Sequence, residues 1–353
     1  VLQIVSRPEP DAVGAAAPET QSMTRERFLT AYRWMLLARI SEEKYASLYR
    51  AGKIYGGVFL GKGQEAISVA TALALRKGDI YAPLIRDQAG RLAFGESLLD
   101  ATRTYLGSRL GPMRGRDGNV HRGRPREGCM AMISHLGAMI SVVSGALIAR
   151  RARGETGVIG AVSIGEGGTS TGAFHEGLNQ AAVEKLPLLL VVTNNQFAYS
   201  TATTRQFACA NLVDRAAGYG IEGYRLDLGN NLAEALKVIG HAADRARAGH
   251  GPQLVVASIL RLGGHGEHDD GHYVPDELKM AKAGADCMKL AEQEILAEGL
   301  ATAQEMEQWR ASAQLQVEEA VAAAQREPAP DPDNEEWQAL STPHLSDGYE
   351  ESL

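Results

Sequence analysis

Two apolar runs separated by one helical stretch constrain this chain more than any other feature. Residues Gly157 to Ile164 and Leu188 to Thr193 are almost without polar residues, whereas a strand with one wet face would show them at every second position. A strand that is apolar throughout is covered on both faces, as in parallel sheets whose crossover helices lie above and below them. Gly172 to Glu184, between the two runs, reads as such a helix. Strand, helix and strand in this order predict parallel neighbours joined by a right-handed crossover. A third run, Leu254 to Leu260, and a strand at Gly223 to Leu228 followed by a helix at Leu232 to Ala248 extend the same unit. The expected class is α/β, a parallel sheet flanked by helices.

The flanks read as helical extensions. From Thr24 to Ala51 the apolar residues Phe28, Tyr32, Met35, Leu36 and Ile40 recur at helical spacing, with Thr24 placed to cap the first turn. Glu65 to Arg76 reads as a second helix, residues 80 to 83 as a short strand, and Ala138 to Arg151 as a helix of small residues. Between them, Gly111 to Gly128 is a basic loop carrying Arg114, Arg116, Arg122, Arg124 and Arg126. Pro275 to Arg326 is largely helical. The organisation is therefore an N-terminal arm over residues 1–22, rich in Pro, Ala and Glu and expected to be flexible or draped on a partner, one α/β domain over 23–326, and an irregular Pro-containing tail over 327–353.

Composition narrows the function. A chain of 353 residues, 44% hydrophobic and 22% charged, has ample material for one large core. A formal net charge of -7 gives no electrostatic footprint for nucleic acid or for an anionic membrane, and no apolar run is long enough to span a bilayer. Three scattered cysteines, Cys129, Cys209 and Cys287, draw neither a disulfide framework nor a metal motif, so a reducing compartment is expected. The start carries no Arg/Ser-rich leader, which favours a bacterial cytoplasm over a mitochondrial matrix.

The chemistry is concentrated where the first two runs end. Gly165-Glu166-Gly167-Gly168 closes one strand and Asn194-Asn195 the next. In parallel α/β sheets the crevice beyond the carboxyl ends of the strands is where ligands bind. Magnesium takes one or two oxygen ligands from side chains and the remainder from phosphate and water, which suits Glu166, Asn195 and a carbonyl just after it. Glycines at 165, 167 and 168 let phosphate oxygens approach backbone N–H groups near a helix start. A metal-diphosphate cradle is the predicted site.

The Gly-Glu-Gly, the double Asn and the spacing from Glu166 to Asn195 resemble the thiamine diphosphate motif. Flanking blocks continue the likeness: Gly63-Gln64-Glu65-Ala66, Arg86-Asp87, Gly118-Asn119-Val120-His121, Ser134 to Gly145, Phe174 to Asn179, Lys185-Leu186-Pro187, and Arg261 to Asp270. Together, over roughly residues 25 to 320, they resemble the alpha subunits of thiamine diphosphate-dependent 2-oxoacid dehydrogenases. The resemblance implies the thiamine diphosphate-binding fold. It implies magnesium held by Glu166, Asn195 and the carbonyl of Phe197, amides of Gly167 and Gly168 on the diphosphate, and Arg86 on a phosphate oxygen. Leu136 would prop the bent cofactor, with Ser134 beside its aminopyrimidine, and His121 and His265 would flank the reacting 2-oxoacid. The glutamate that activates the aminopyrimidine falls on a separate beta subunit. The implied assembly is an α2β2 heterotetramer docked on a lipoyl-bearing acyltransferase core.

Glutamate rather than aspartate at 166 resembles the branched-chain variant and favours branched-chain 2-oxoacids over pyruvate or acetoin. Two departures stand out: Thr193 occupies the place of an arginine, and Gly266 that of a serine phosphorylated in animal enzymes. Rival readings remain open at this point. Gly218 to Gly223 spells a dinucleotide fingerprint but is followed by a strand rather than a helix, so it is set aside. His265, His268, Asp269, Asp270 and His272 together resemble a transition-metal cluster and would make a metallohydrolase. A non-catalytic assembly subunit would keep the fold and lose the cofactor.

Overall fold

In a computed structural model of the chain, the residues described are 24–117, 121–331 and 333–334. The N-terminal arm, the Gly118-Asn119-Val120 block and most of the C-terminal tail lie outside them. The chain opens with α1 (Arg25–Arg50), whose cap Thr24 accepts a hydrogen bond from the Arg27 amide as its position implied. Next come α2 (Glu65–Leu73), β1 (Ile80–Ala82), α3 (Gln88–Phe94), α4 (Leu98–Tyr105) and α5 (Ala138–Ala152). The central unit is β2 (Gly160–Gly165), α6 (Gly172–Val183) and β3 (Leu188–Asn194), then a hairpin of β4 (Phe197–Ala198) and β5 (Thr201–Ala202). The chain continues through α7 (Arg215–Tyr219), β6 (Glu222–Leu226), α8 (Leu232–Arg247) and β7 (Gln253–Ser258). It ends in α9 (Asp276–Met280), α10 (Cys287–Ala297) and α11 (Ala303–Arg326). None of these helices is long and apolar enough to cross a membrane.

Five strands form one sheet in the order β1-β2-β3-β7-β6, and every pairing is parallel. The apolar runs are continuous because successive residues feed different cores. Ala161, Leu189, Val191, Val255 and Ala257 pack under α1, α2, α3 and α8. Val162, Ile164, Leu190, Val192 and Val256 pack under α5 and α6. Truncating Leu189, Leu190 or Ile164 to alanine costs about 2–5 kcal/mol. The two crossovers run in opposite directions along the sheet, β2 to β3 outward and β6 to β7 back towards β3. A shared handedness therefore requires their helices to lie on opposite faces, and α6 and α8 do.

Element bounds differ from the sequence reading where a turn or a charge intervenes. The run from Gly157 enters the sheet only at Gly160, because Gly157 turns at φ +74° and Asp79 holds the Ile159 amide at 2.9 Å. α2 stops at Leu73, and the Arg76 amide turns to Asp79 Oδ2 at 2.8 Å. Asp79 also pairs with Arg247 at 2.6 Å, so one buried carboxylate fastens the amino ends of β1 and β2 to the end of α8. The stretch from 275 to 326 is helical in pieces. The dinucleotide fingerprint is the turn between α7 and β6, where Gly220 takes φ +67° and no helix follows.

Glu42 of α1 is buried and accepts the Gly61 amide at 2.9 and 3.0 Å, fixing the loop against the backbone of Arg86. Burial and the nearby Glu65 push its carboxyl up to about 8 from an ordinary 4.5. The folded state thus binds this proton more tightly than the unfolded chain. Its contribution is complete below the unfolded value and is lost as pH rises through the folded one. Glu42→Gln keeps an acceptor for Gly61 and removes the titration. Its melting temperature, relative to wild type, is expected to be higher at about pH 9 than at about pH 5; an equal difference at both would contradict this account.

Candidate active site

The site collects at the carboxyl ends of four adjacent strands. Arg86 follows β1, Glu166 follows β2, Asn195 follows β3, and Arg261 and His265 follow β7. Register brings the acid and the amide together. Gly165 pairs with Thr193, so Glu166 and Asn195 leave the sheet side by side, and the Asn195 amide donates to Glu166 Oε2 at 3.2 Å although the two are 29 residues apart in sequence. Asn195 Oδ1 in turn accepts the Phe197 amide at 3.2 Å. Glu166, Asn195 and Phe197 are all buried and joined by these two hydrogen bonds, and the Phe197 carbonyl accepts Arg261 Nη1 at 3.5 Å.

The glycines serve packing as well as access. A Cβ on Gly167 would lie 2.5 Å from the Ala198 methyl, and one on Gly168 would lie 2.8 Å from Ile164 and 3.4 Å from Leu136 Cβ. Leu136 thereby stands over the turn that carries Glu166. Ser134, two residues earlier, meets His121, whose Nε2 lies 3.0 Å from Ser134 Oγ. Arg86 donates to the carbonyl of His265 and lies 3.5 Å from its Nδ1. Contacts therefore join the expected residues into three groups: Arg86 with His265; the Glu166 turn with Asn195, Phe197 and Leu136; and Ser134 with His121.

The electrostatics fit a diphosphate and a divalent cation. Burial, and then the Arg261 guanidinium, bring Arg86 down to about 10 from 12.5, and its buried Nε has no partner. Two cations held close in a dry site are stabilised by an anion between them. Glu166 is the converse case: burial raises its carboxyl above the usual range, against the amides of Asn195 and Gln206. A cation beside it would restore the charged form.

Several participants lie outside the ligand and catalytic residues that the resemblance implies. Gln206 donates Nε2 to Glu166 Oε1 at 3.3 Å and to the Thr201 carbonyl at 2.7 Å. Asp269 accepts the His265 amide at 2.5 Å and the Tyr273 hydroxyl at 2.6 Å, which holds the histidine loop. Tyr199 packs against His265 with ring centroids 4.5 Å apart and the rings tilted by 43°. The five-residue metal cluster does not converge: Asp269 is turned to backbone and Tyr273, and His272 and Asp270 pair at 3.4 Å in solvent. Among the described residues no group of three or more His, Cys, Asp or Glu could hold a metal ion.

The model of the dehydrogenase E1 component family matches residues 32–333. The chain belongs to that family. It is 33% identical over 313 residues to the alpha subunit of acetoin:2,6-dichlorophenolindophenol oxidoreductase of Cupriavidus necator, covering 88% of this chain and 93% of that one. It is 32% identical to the alpha subunit of the pyruvate dehydrogenase E1 component of Rhizobium meliloti, over 87% of this chain and 88% of the relative. With the 2-oxoisovalerate dehydrogenase alpha subunit of Bacillus subtilis it shares 36% identity over 250 residues, 70% of this chain and 75% of the other. All three relatives are alpha subunits, in line with the motif resemblance. The E1 family depends on thiamine diphosphate.

His265 reports the charge balance of this E1 site. Burial, and then Arg86 and Arg261, bring its imidazole down to about 4 from 6.5, so it is neutral near neutral pH. Its share of stability is present above the unfolded value and lost as pH falls through the folded one. Arg86→Ala removes the largest of the repelling charges and part of the burial, both of which hold the value down. An NMR titration should then place His265 between about 4 and 6.5; an unmoved midpoint would show that Arg86 does not act on it.

Proposed function

We propose that this chain is the alpha subunit of a 2-oxoacid dehydrogenase E1 component, holding magnesium and thiamine diphosphate at the carboxyl ends of β1, β2, β3 and β7. The observation that carries this reading is the buried contact between Glu166 and Asn195, which presents an acid, an amide oxygen and the Phe197 carbonyl as one set of hard ligands. Arg86 and Arg261 supply the positive charge for a diphosphate, and the turn through Gly167 and Gly168 brings backbone close to it.

When bound, thiamine diphosphate supplies a nucleophilic thiazolium carbon and an electron sink for the carbon–carbon bond that breaks. Around it, Leu136 would support the cofactor's bend and Ser134 would be beside the aminopyrimidine. His265, kept neutral, can accept or donate a proton next to the substrate, and His121, whose Nε2 meets Ser134, is read as facing the same substrate. Leu136 is 43% exposed, a large apolar side chain left open at the start of α5. That exposure supports a beta subunit closing the site, in an α2β2 assembly that passes its acyl product to the lipoyl group of an acyltransferase core.

Glutamate at 166 and the likeness to 2-oxoisovalerate dehydrogenase alpha favour a branched-chain 2-oxoacid as substrate. The longer alignments with acetoin and pyruvate enzymes support those substrates as the second reading. Co-expression with a beta subunit and assay of a 2-oxoacid panel decides between them. A branched-chain preference in kcat/KM is expected; a preference for pyruvate or acetoin would overturn the first choice. In the same assembly, Glu166→Ala and Asn195→Ala should each weaken thiamine diphosphate binding about 100-fold or more by calorimetry in magnesium. Wild-type affinity in either variant would contradict the ligand set.

A further inference from the structure

His121 is held from both sides of its ring. Its neighbour Arg122 is buried, with Nε and Nη2 on Glu96 at 2.7 and 2.8 Å and Nη2 also on Gln88 at 2.8 Å. The Arg122 carbonyl accepts Arg91 Nη1 at 3.1 Å. The backbone beside His121 is therefore anchored, but anchoring does not decide which imidazole nitrogen carries the proton. Two side chains do: Nδ1 lies 2.6 Å from Asp117 Oδ2, and Nε2 lies 3.0 Å from Ser134 Oγ. An ionised carboxylate only accepts, so the proton of the neutral ring sits on Nδ1 and Nε2 keeps its lone pair towards the Ser134 hydroxyl.

We propose that Asp117 is a positioning residue for the decarboxylation chemistry, fixing His121 in the Nδ1–H tautomer so that Nε2 is the atom that takes up or returns a proton at the substrate. This rests on the reading above that His121 faces the substrate. The arrangement has the logic of a carboxylate orienting an imidazole beside a hydroxyl, where exchanging the carboxylate for an amide leaves the geometry and costs about 10⁴ in kcat through the wrong tautomer. Asp117 belongs to the basic loop and to no motif.

Two measurements test it. In the full chain without cofactor, labelled with 15N-histidine, the resonances missing from His121→Gln identify His121. Wild type should show a protonated Nδ1 and an unprotonated Nε2, and Asp117→Asn should lose that preference. A protonated Nε2 in wild type, or an unchanged tautomer in Asp117→Asn, would overturn the proposal. In the enzyme assembled with its beta subunit, Asp117→Asn should lower kcat by about 10²–10⁴. KM for the 2-oxoacid and thiamine diphosphate affinity should stay within about threefold, and the double variant with His121→Ala should be no slower than His121→Ala alone. A parallel loss of cofactor affinity and melting temperature would instead make Asp117 a loop tether and refute positioning. If His121→Ala keeps wild-type kcat, the role read for His121 itself fails. If that variant is crippled and Asp117→Asn is not, only the present proposal falls.

Discussion

The parallel pairing of β2 with β3 is the constraint on which the remainder of the site depends. Gly165 opposite Thr193 sets where both chains leave the sheet, and that alone places the Glu166 carboxylate against the Asn195 amide. A slip of one residue in either strand would exchange the two faces of that strand, sending Ile164 or Val192 out of the core below α5 and α6. Register is thus protected by hydrophobic burial, worth about 1.5–3 kcal/mol for each such side chain. The polar contact at the strand ends is too weak to set the register, and it inherits its geometry from the apolar residues behind it.

The loop beyond β3 bears a conformational cost at the same place. Gln196 and Tyr199 take φ +75° and +55°, where side chains with a Cβ are disfavoured, and each such residue costs about 1–3 kcal/mol. The return is visible in what the loop does. It turns Asn195 Oδ1 onto the Phe197 amide, lays the β4–β5 hairpin against Gly167, and puts the Tyr199 ring on His265. The Arg261 side chain holds this bend by donating to the Tyr199 carbonyl at 3.0 Å. One guanidinium therefore fastens the loop and also contributes to the field felt by Arg86 and Glu166.

What could be read from sequence was what repeats or clusters along it. The central strands, the crossover helices and the Glu166–Asn195 pair were legible because a doubly covered strand is apolar throughout and because loops at strand ends concentrate Gly and polar residues. α3 was not legible: its seven residues include Gly90, where a Cβ would lie 2.5 Å from the Tyr81 hydroxyl, so that helix exists through close packing rather than propensity. Gln206, Asp269 and Asp117 are ordinary polar loop residues until folding sets them against Glu166, His265 and His121. The apparent metal cluster erred the other way, since neighbours in sequence were spread by Asp269 folding back onto its own loop.

Chemistry of the proposed kind runs in a site from which water is kept out, because charge developing on the substrate is stabilised far better at low dielectric. The ligand end of this site meets that requirement, with Glu166 at 1% exposure. The substrate end does not: Ser134, His135 and Leu136 are open at the start of α5, and the His121 imidazole is only half-covered. Exposure therefore rises from the Glu166 turn to the stretch from Ser134 to Leu136. In the proposed reaction, desolvation at the reacting carbon would then come from a surface outside the described residues, and one seated on Leu136 would also approach Ser134, two residues away.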